Sequence, residues 1–234
     1  MKKTLLFIVV VFSFFSCTSF IYYPNGANAP LLQEKNEIQV SAKIKGLGGD
    51  IQGAWAFSDH LATQLNINFL DVFGTEMGVS HNSGQYYGDA AIGYYTSINP
   101  KIVLEAYLGT GHGTTFFRNT DTNILRTTDY HKIYAQIDMG FRTKNFKIGL
   151  ALREAFVNAY RTKIDNVITG DQYIDAFFEP VIFIAIGGEK YKVNAQIGFS
   201  DSQFSSINNY APFIFSLGLE GRFSPTKQPA KTNL

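Results

Sequence analysis

Polar and apolar residues alternate at period two in segment after segment of this chain, the spacing that puts the two kinds on opposite faces of a β-strand. In Glu37–Lys45, Ile38, Val40, Ala42 and Ile44 share one face, while Gln39, Ser41, Lys43 and Lys45 share the other. Leu61, Thr63, Leu65, Ile67 and Phe69 oppose Gln64, Asn66 and Asn68; Ile133, Ala135, Ile137, Met139 and Phe141 oppose Tyr134, Gln136, Asp138 and Arg142. Val193, Ala195, Ile197 and Phe199 oppose Asn194, Gln196, Gly198 and Ser200, and Phe213, Phe215, Leu217 and Leu219 oppose Ser216, Gly218, Glu220 and Arg222. Segments near 51–57, 85–95, 102–112, 146–156 and 174–186 bring the expected count to ten, with eight or twelve as alternatives. Tyr86–Tyr95 is mixed on both faces. Phe177–Ile186 is apolar on both, and Pro180 within it predicts a bulge or register change.

The connections follow a rhythm of their own. Tight turns at Ser58–His60, Ser97–Lys101, Thr143–Asn145 and Gly187–Lys190 alternate with looser stretches near 71–84, 113–129, 158–172 and 201–209. Short turns on one side and long loops on the other are what strands inserted across a membrane show. A soluble lipocalin-like barrel would reverse the faces, with an apolar cavity inside. Here the polar face is rich in Gln, Asn, Ser and Gly, which suits a crowded polar lumen. Aromatics gather at the strand ends: Phe69, Tyr86, Tyr130, Tyr160, Tyr173 and Tyr210 towards the long loops, and Phe57, Tyr94, Phe141, Phe146, Tyr191 and Phe223 towards the short turns. Rings at both interfaces form the girdles of a membrane barrel.

Composition agrees. Charged residues make up 17% of the chain, below the roughly 25% of ordinary soluble proteins, and a net charge of +1 removes any electrostatic case for nucleic acid. Beyond the N-terminal apolar run, no segment approaches the ~20 apolar residues of a spanning helix. Because an unpaired backbone group in hydrocarbon is costly, the first strand must pair with the last. The expected fold is therefore all-β: a single closed antiparallel up-and-down transmembrane β-barrel.

The N-terminus reads as an export signal. Lys2 and Lys3 precede an apolar run, Leu5 to Phe15, that is too short to span the membrane. The run ends at Ser16-Cys17, and Cys17 is the only cysteine. A lone cysteine there resembles a bacterial lipobox, which implies cleavage before Cys17 and a diacylglycerol on its thiol. Two other cuts compete: after Ala27-Asn28-Ala29, which would leave Pro30 first, or near Thr18 or Ser19. The expected organisation is a signal peptide at 1–16, a lipid-tethered periplasmic linker at 17–35, the barrel at 36–224 and a polar periplasmic tail at 225–234. An even strand count places both barrel termini in the periplasm and the long loops outside.

With these segments in place, the chain resembles the small outer-membrane β-barrel proteins of Gram-negative bacteria, and its Phe before Ser16-Cys17 looks like Bacteroidetes lipoboxes. The last strand, Ser216–Phe223, resembles the signal read by the barrel assembly machinery: polar Ser216, Gly218 two positions on, and terminal aromatic Phe223. Gly221 departs from it, standing where a large apolar residue is usual. Implied partners are outer-membrane lipids and that machinery.

Candidate chemistry is sparse. Lys43, Asp89, Glu105, Asp138, Arg142, Lys147, Arg153, Glu179, Glu220 and Arg222 fall on the polar face. A barrel of this size is filled by side chains, and its ions must be paired, so these predict a plug of paired charges. His112 and Asp129–His131 flank one long loop and offer the only hint of catalysis, as a rim base or metal site. No third ligand or nucleophile stands at a telling spacing, and no cofactor or metal is expected. Loops such as Phe116–Asp121 and Ser202–Asn209 mix aromatics with Asn, Ser and Thr, suited to an envelope protein or glycan. The functional expectation is a structural, adhesive or partner-binding role. A narrow solute channel and a rim hydrolase are the alternatives.

Overall fold

A computed structural model describes residues 21–45, 48–76, 79–170, 172–207 and 210–224. Among them ten strands form the wall: β1 (Ile38–Lys45), β2 (Gly48–Ala56), β3 (Leu61–Glu76), β4 (Val79–Asn99), β5 (Ile102–Asn119), β6 (Leu125–Arg142), β7 (Phe146–Ile164), β8 (Tyr173–Gly187), β9 (Tyr191–Phe199) and β10 (Phe213–Phe223). Each pairs antiparallel with its chain neighbours, and β10 returns to β1 with Ile38 opposite Phe223 and Ile44 opposite Leu217, so the sheet closes. The expected all-β, ten-stranded closed barrel is the fold. Cys17, the signal at 1–16 and the tail at 225–234 lie outside the described residues.

The alternation resolves with the apolar face out. Ile44 is 65% exposed, while Lys43 and Lys45 beside it are 5% and 9% exposed. Leu65, Leu108, Ile133, Ile197 and Leu219 stand on the same outer surface. A belt of this kind, around a wall whose backbone groups pair strand to strand, is stable in hydrocarbon.

The wall is uneven in height. β1 has 8 residues and β2 and β9 have 9, near the 9–11 residues a tilted strand needs to cross a bilayer. β4 has 21, and β5, β6 and β7 have 18, 18 and 19. At about 3.4 Å per residue, this side runs well past the apolar belt. Since the tight turns lie together at one end, the surplus projects at the other. The stretches at 71–84, 113–129 and 158–172, expected as loose loops, are therefore largely paired strand. His81 pairs with Asn119, and Arg126 with Ile164. Above the belt the outer face meets water instead of lipid, so polar residues stand on both faces and the apolar–polar alternation fades, although His81, Ser83, Thr115 and Thr162 still point inward and are buried. Among the described residues of the four long connections, 200–207 and 210–212 keep loop character, and residues 202–207 fold inward: Ile207 is buried, and Asp175 accepts from Ser202 Oγ (2.8 Å) and from the Phe204 and Ile207 N–H groups (3.0 and 2.8 Å).

Pro180 brings no register change. The β7–β8 register runs unbroken from Phe146 opposite Ile186 to Ala159 opposite Tyr173. Its missing N–H falls where the β8–β9 ladder pauses, between Val181 opposite Gly198 and Phe178 opposite Asp201.

The largest departure concerns residues 21–32. Expected within a periplasmic tether, they instead run through the inside of the barrel, and from Tyr22 to Leu32 every residue is buried. Tyr22 lies at the long-loop mouth, where its carbonyl accepts from Ala211 N–H (3.0 Å) and its ring packs on Phe177 and Tyr130. Leu31 and Leu32 lie at the short-turn mouth. The first and last strands of the barrel thus begin and end at the same mouth, with Ile38 opposite Phe223, while the described chain upstream of them starts, at Ile21, by the other.

Candidate functional site

An extended chain inside a barrel presents a row of carbonyls that no strand partner can satisfy, and a buried orphan carbonyl is costly. The lumen supplies a donor to each. Going down the barrel, the carbonyl of Ile21 accepts from Thr115 Oγ1 (3.4 Å), Tyr23 from Gln85 Nε2 (2.9 Å), Pro24 from Lys45 Nζ and Asn25 from Arg153 Nη2 (2.6 Å). Gly26 takes Gln52 Nε2 (2.9 Å), and Ala27 takes both Lys43 Nζ (3.2 Å) and Gln196 Nε2 (2.7 Å). Asn28 accepts from Gln64 and Gln136 (3.0 and 2.8 Å), Ala29 from Lys147 Nζ (3.3 Å), Pro30 from Arg222 Nη2 (2.6 Å) and Leu31 from Arg142 Nη1 (2.6 Å). With Ala211 on Tyr22, no carbonyl from Ile21 to Leu31 lacks a donor.

N–H groups are handled by acids. Glu105 receives Leu31 N–H and Leu32 N–H at 3.0 and 2.7 Å, and Asp50 receives Gly26 N–H at 3.4 Å. Pro24 and Pro30 have no N–H to satisfy. Side chains then fix position along the axis. Asn25 Oδ1 accepts from Lys132 Nζ at 2.6 Å, and Asn28 Nδ2 donates to Asn66 Oδ1 (2.8 Å) and the Gly53 carbonyl (3.0 Å). At Gly26 a Cβ would lie 2.9 Å from Gln196 Oε1 and 3.1 Å from Asp50 Oδ2. Ala27, Ala29 and Leu31 pack with Val103, Ala151, Val181, Phe183 and Ile214 of the wall. This explains why Phe177–Ile186 is apolar on both faces: its inner residues meet the threaded chain.

The residues expected as a paired-charge plug all line the lumen, but only some pair with each other. Arg153 Nε meets Glu179 Oε2 at 2.5 Å, and Lys147 Nζ meets Glu220 Oε2 at 2.7 Å. Arg142 (2.7 Å) and Arg222 both meet Glu37, a residue not singled out from the sequence. Burial pushes the Glu37 carboxyl up, but the Arg222 and Arg142 charges outweigh it and hold its pKa at about 2. Among the described residues, Lys43, Asp89, Glu105 and Asp138 make no ion pair. Lys43 and Glu105 bind the threaded backbone, Asp89 accepts from Asn66 Nδ2 (2.6 Å) and Tyr134 OH (2.8 Å), and Asp138 accepts from Gln136 (3.0 Å). The plug is a peptide with charges fitted round it.

Asp50, Lys45 and Lys132 are further lumen ions that the sequence reading passed over, although Lys45 lies on a polar face it had marked. A second signal was available: residues 18–32 carry no charge, unusual for a solvated linker and ordinary for a buried one.

At the ends, the expected girdles hold in part. Phe69, Tyr86, Tyr94, Phe141, Tyr191 and Phe223 face outward. Tyr130 faces inward, stacked on Tyr87 (centroids 5.8 Å apart, planes at 9°) with its hydroxyl donating to Gln85 at 2.8 Å. The outward parity of Ile133 and His131 already requires this. His112 and His131 are cross-strand neighbours on the outer face, their rings 4.9 Å apart and His131 stacked on Tyr160 at 4.8 Å. Asp129 turns to Arg161 (2.5 Å) and Thr114 (2.7 Å). The histidines join an aromatic cluster on the wall, away from the turn at 120–124.

Of the assembly-signal residues, Ser216 points into the lumen and Phe223 outward. Gly218 lies where a Cβ would come within 2.2 Å of the Ala42 carbonyl oxygen across the β10–β1 pairing. Gly221 faces out under the rings of Tyr191 and Phe223, whose nearest carbons lie 3.5 Å from a Cβ built there. The two rings fill the place of the missing large side chain.

No protein-family model matches the chain, and no curated protein sequence matches it. Among solved structures, it is similar to the translocator domain of the autotransporter NalP from Neisseria meningitidis, with 10% identity, a TM-score of 0.43, and coverage of 80% of this chain and 86% of that one. It is also similar to CarO from Acinetobacter baumannii, with 10% identity, a TM-score of 0.31, and coverage of 81% and 98%.

Proposed function

We propose that this protein is a sealed barrel of a Gram-negative outer membrane, serving as a structural, adhesive or partner-binding platform through the tall side of its wall. The occupied lumen carries this reading. Where a solute path would run, eleven consecutive carbonyls are each bound by a donor, and a diffusion pore of this kind needs more strands. The long-loop end faces outward from the cell. There the wall carries apolar residues above the belt, Phe73, Ile124, Val167, Ile168 and Phe204, which suit an envelope protein or the apolar face of a glycan. Barrel assembly machinery engages β10 through Ser216, Gly218 and Phe223.

Planar bilayers test the seal. Purified protein is expected to give no steady conductance; steady single-channel currents abolished by Arg153→Glu would overturn the reading in favour of a channel. For the platform, Val167→Asp with Ile168→Asp is expected to reduce adhesion of expressing cells while leaving the amount of folded barrel unchanged. Equal adhesion by wild type and variant would remove those residues from the binding surface.

A further inference from the structure

We propose that the lumen is a binding site for an extended polypeptide, filled by residues 21–32, and that it holds the upstream end of this stretch, Ile21, at the long-loop mouth, opposite the C-terminal end of the barrel. The recognition is of main chain. Lysine, arginine and glutamine side chains from eight of the ten strands, all but β5 and β8, reach successive carbonyls, while Glu105 and Asp50 take N–H groups. A lumen built for packing alone would satisfy its ions with one another. This one spends its donors on a backbone.

Direction follows from the two mouths. At the short-turn end, Leu31 and Leu32 sit on Glu105, and the chain turns through Glu34–Glu37 into β1. At the other end, Tyr22 pairs with Tyr210 in the loop between β9 and β10. That is the low side of the wall, where β9, β10, β1 and β2 have 9, 11, 8 and 9 residues. Ile21 and the long loops thus lie on one side, whichever side that is, and only the statement that this side is extracellular rests on the platform reading.

Cysteine labelling of the full chain in intact cells tests it, using an impermeant maleimide and a Cys17→Ser background. Phe20→Cys is expected to label to the same extent as Asp121→Cys in the β5–β6 turn, with Lys144→Cys in the β6–β7 turn labelling only after the outer membrane is permeabilised. Labelling of Phe20→Cys together with Lys144→Cys overturns the proposal, as does labelling of Phe20→Cys only after denaturation. If Phe20→Cys and Asp121→Cys label together but only after permeabilisation, the threading stands and the outward orientation of the platform fails. Wild-type chain supplies a readout free of substitutions. Protease added to intact cells should remove peptide upstream of Ile21 and leave 21–32 whole; an untouched N-terminus in cells whose 120–124 turn is cut counts against the proposal.

Discussion

Arg222 donates to the Pro30 and Leu31 carbonyls, to Gln39 Oε1 and to Glu37, so a single guanidinium joins the threaded chain, the first strand and the mouth. Buried ions of this kind are costly to strand singly. Arg153→Leu removes the donor to Asn25 and leaves Glu179 without its cation, and is expected to destabilise the barrel by about 3–5 kcal/mol, read as a lower urea midpoint for the loss of the compact gel band. Adding Glu179→Gln should recover about half of that loss, because the two sites are coupled. Substitutions in the threaded chain act differently. Ala27→Ser or Ala29→Ser leaves every carbonyl bond in place but sets a hydroxyl in the apolar cluster of Val103, Val181, Phe183 and Ile214, and should cost about 1–3 kcal/mol. Glu37 adds a pH dependence. Its folded pKa, about 2, lies below the ordinary 4.5, so its contribution is fully present above pH 4.5 and is lost as pH falls towards 2, on the order of 3 kcal/mol. Glu37→Gln should flatten the stability profile across that window. A profile as steep as wild type would assign the acid sensitivity to other carboxylates.

At the scale of the strand, the β10–β1 pairing is the most exacting part of the wall. Gly218→Val places a side chain against the Ala42 carbonyl, where nothing flexible can yield, and should abolish the heat-modifiable compact band. Gly221→Ala, three residues on, meets only ordinary contacts at 3.5 Å and should leave the band intact. Ten strands and their outward faces were legible in the sequence because a bilayer imposes period two on every spanning residue. Where that solvent ends, legibility ended too: Phe73, Phe117 and Ile164 belong to paired hairpins, but an outer face in water carries polar residues like the inner one and leaves no alternation to read. The site was legible as a set of residues and only in part as an arrangement. Lys43, Arg142, Arg153 and Arg222 fell on the lumen face by parity, and the three arginines do meet acids, yet each of the four also donates to a carbonyl of the threaded chain, and a carbonyl leaves no mark on a sequence. The threaded stretch showed only as an uncharged run with Pro24, Gly26 and Pro30, indistinguishable by composition from a linker.

For the whole molecule, the barrel is a wall low on one side and tall on the other, its lumen filled by residues 21–32 and its long-loop mouth partly covered by residues 202–207. The seal and the tall side make separate demands. Weakening the seal, for instance by Lys43→Met with Lys147→Met, should raise the permeability of the membrane to small solutes without changing adhesion. Trimming the β5–β6 hairpin above Thr115 and Thr128 should do the reverse. If both changes moved both readouts together, the two parts would be a single device.

Residues 21–32 are made before any strand, yet they end up encircled by strands made after them. The ring shuts only when β10 meets β1, so the leading stretch must lie along the curling sheet and wait, or else be drawn through a finished hoop with Tyr22, Tyr23 and Asn25 in tow. The first route is far easier sterically. It turns the last strand into a latch that traps a segment synthesised before any strand, and it gives the folding of this chain an order of events that its final shape makes hard to reverse.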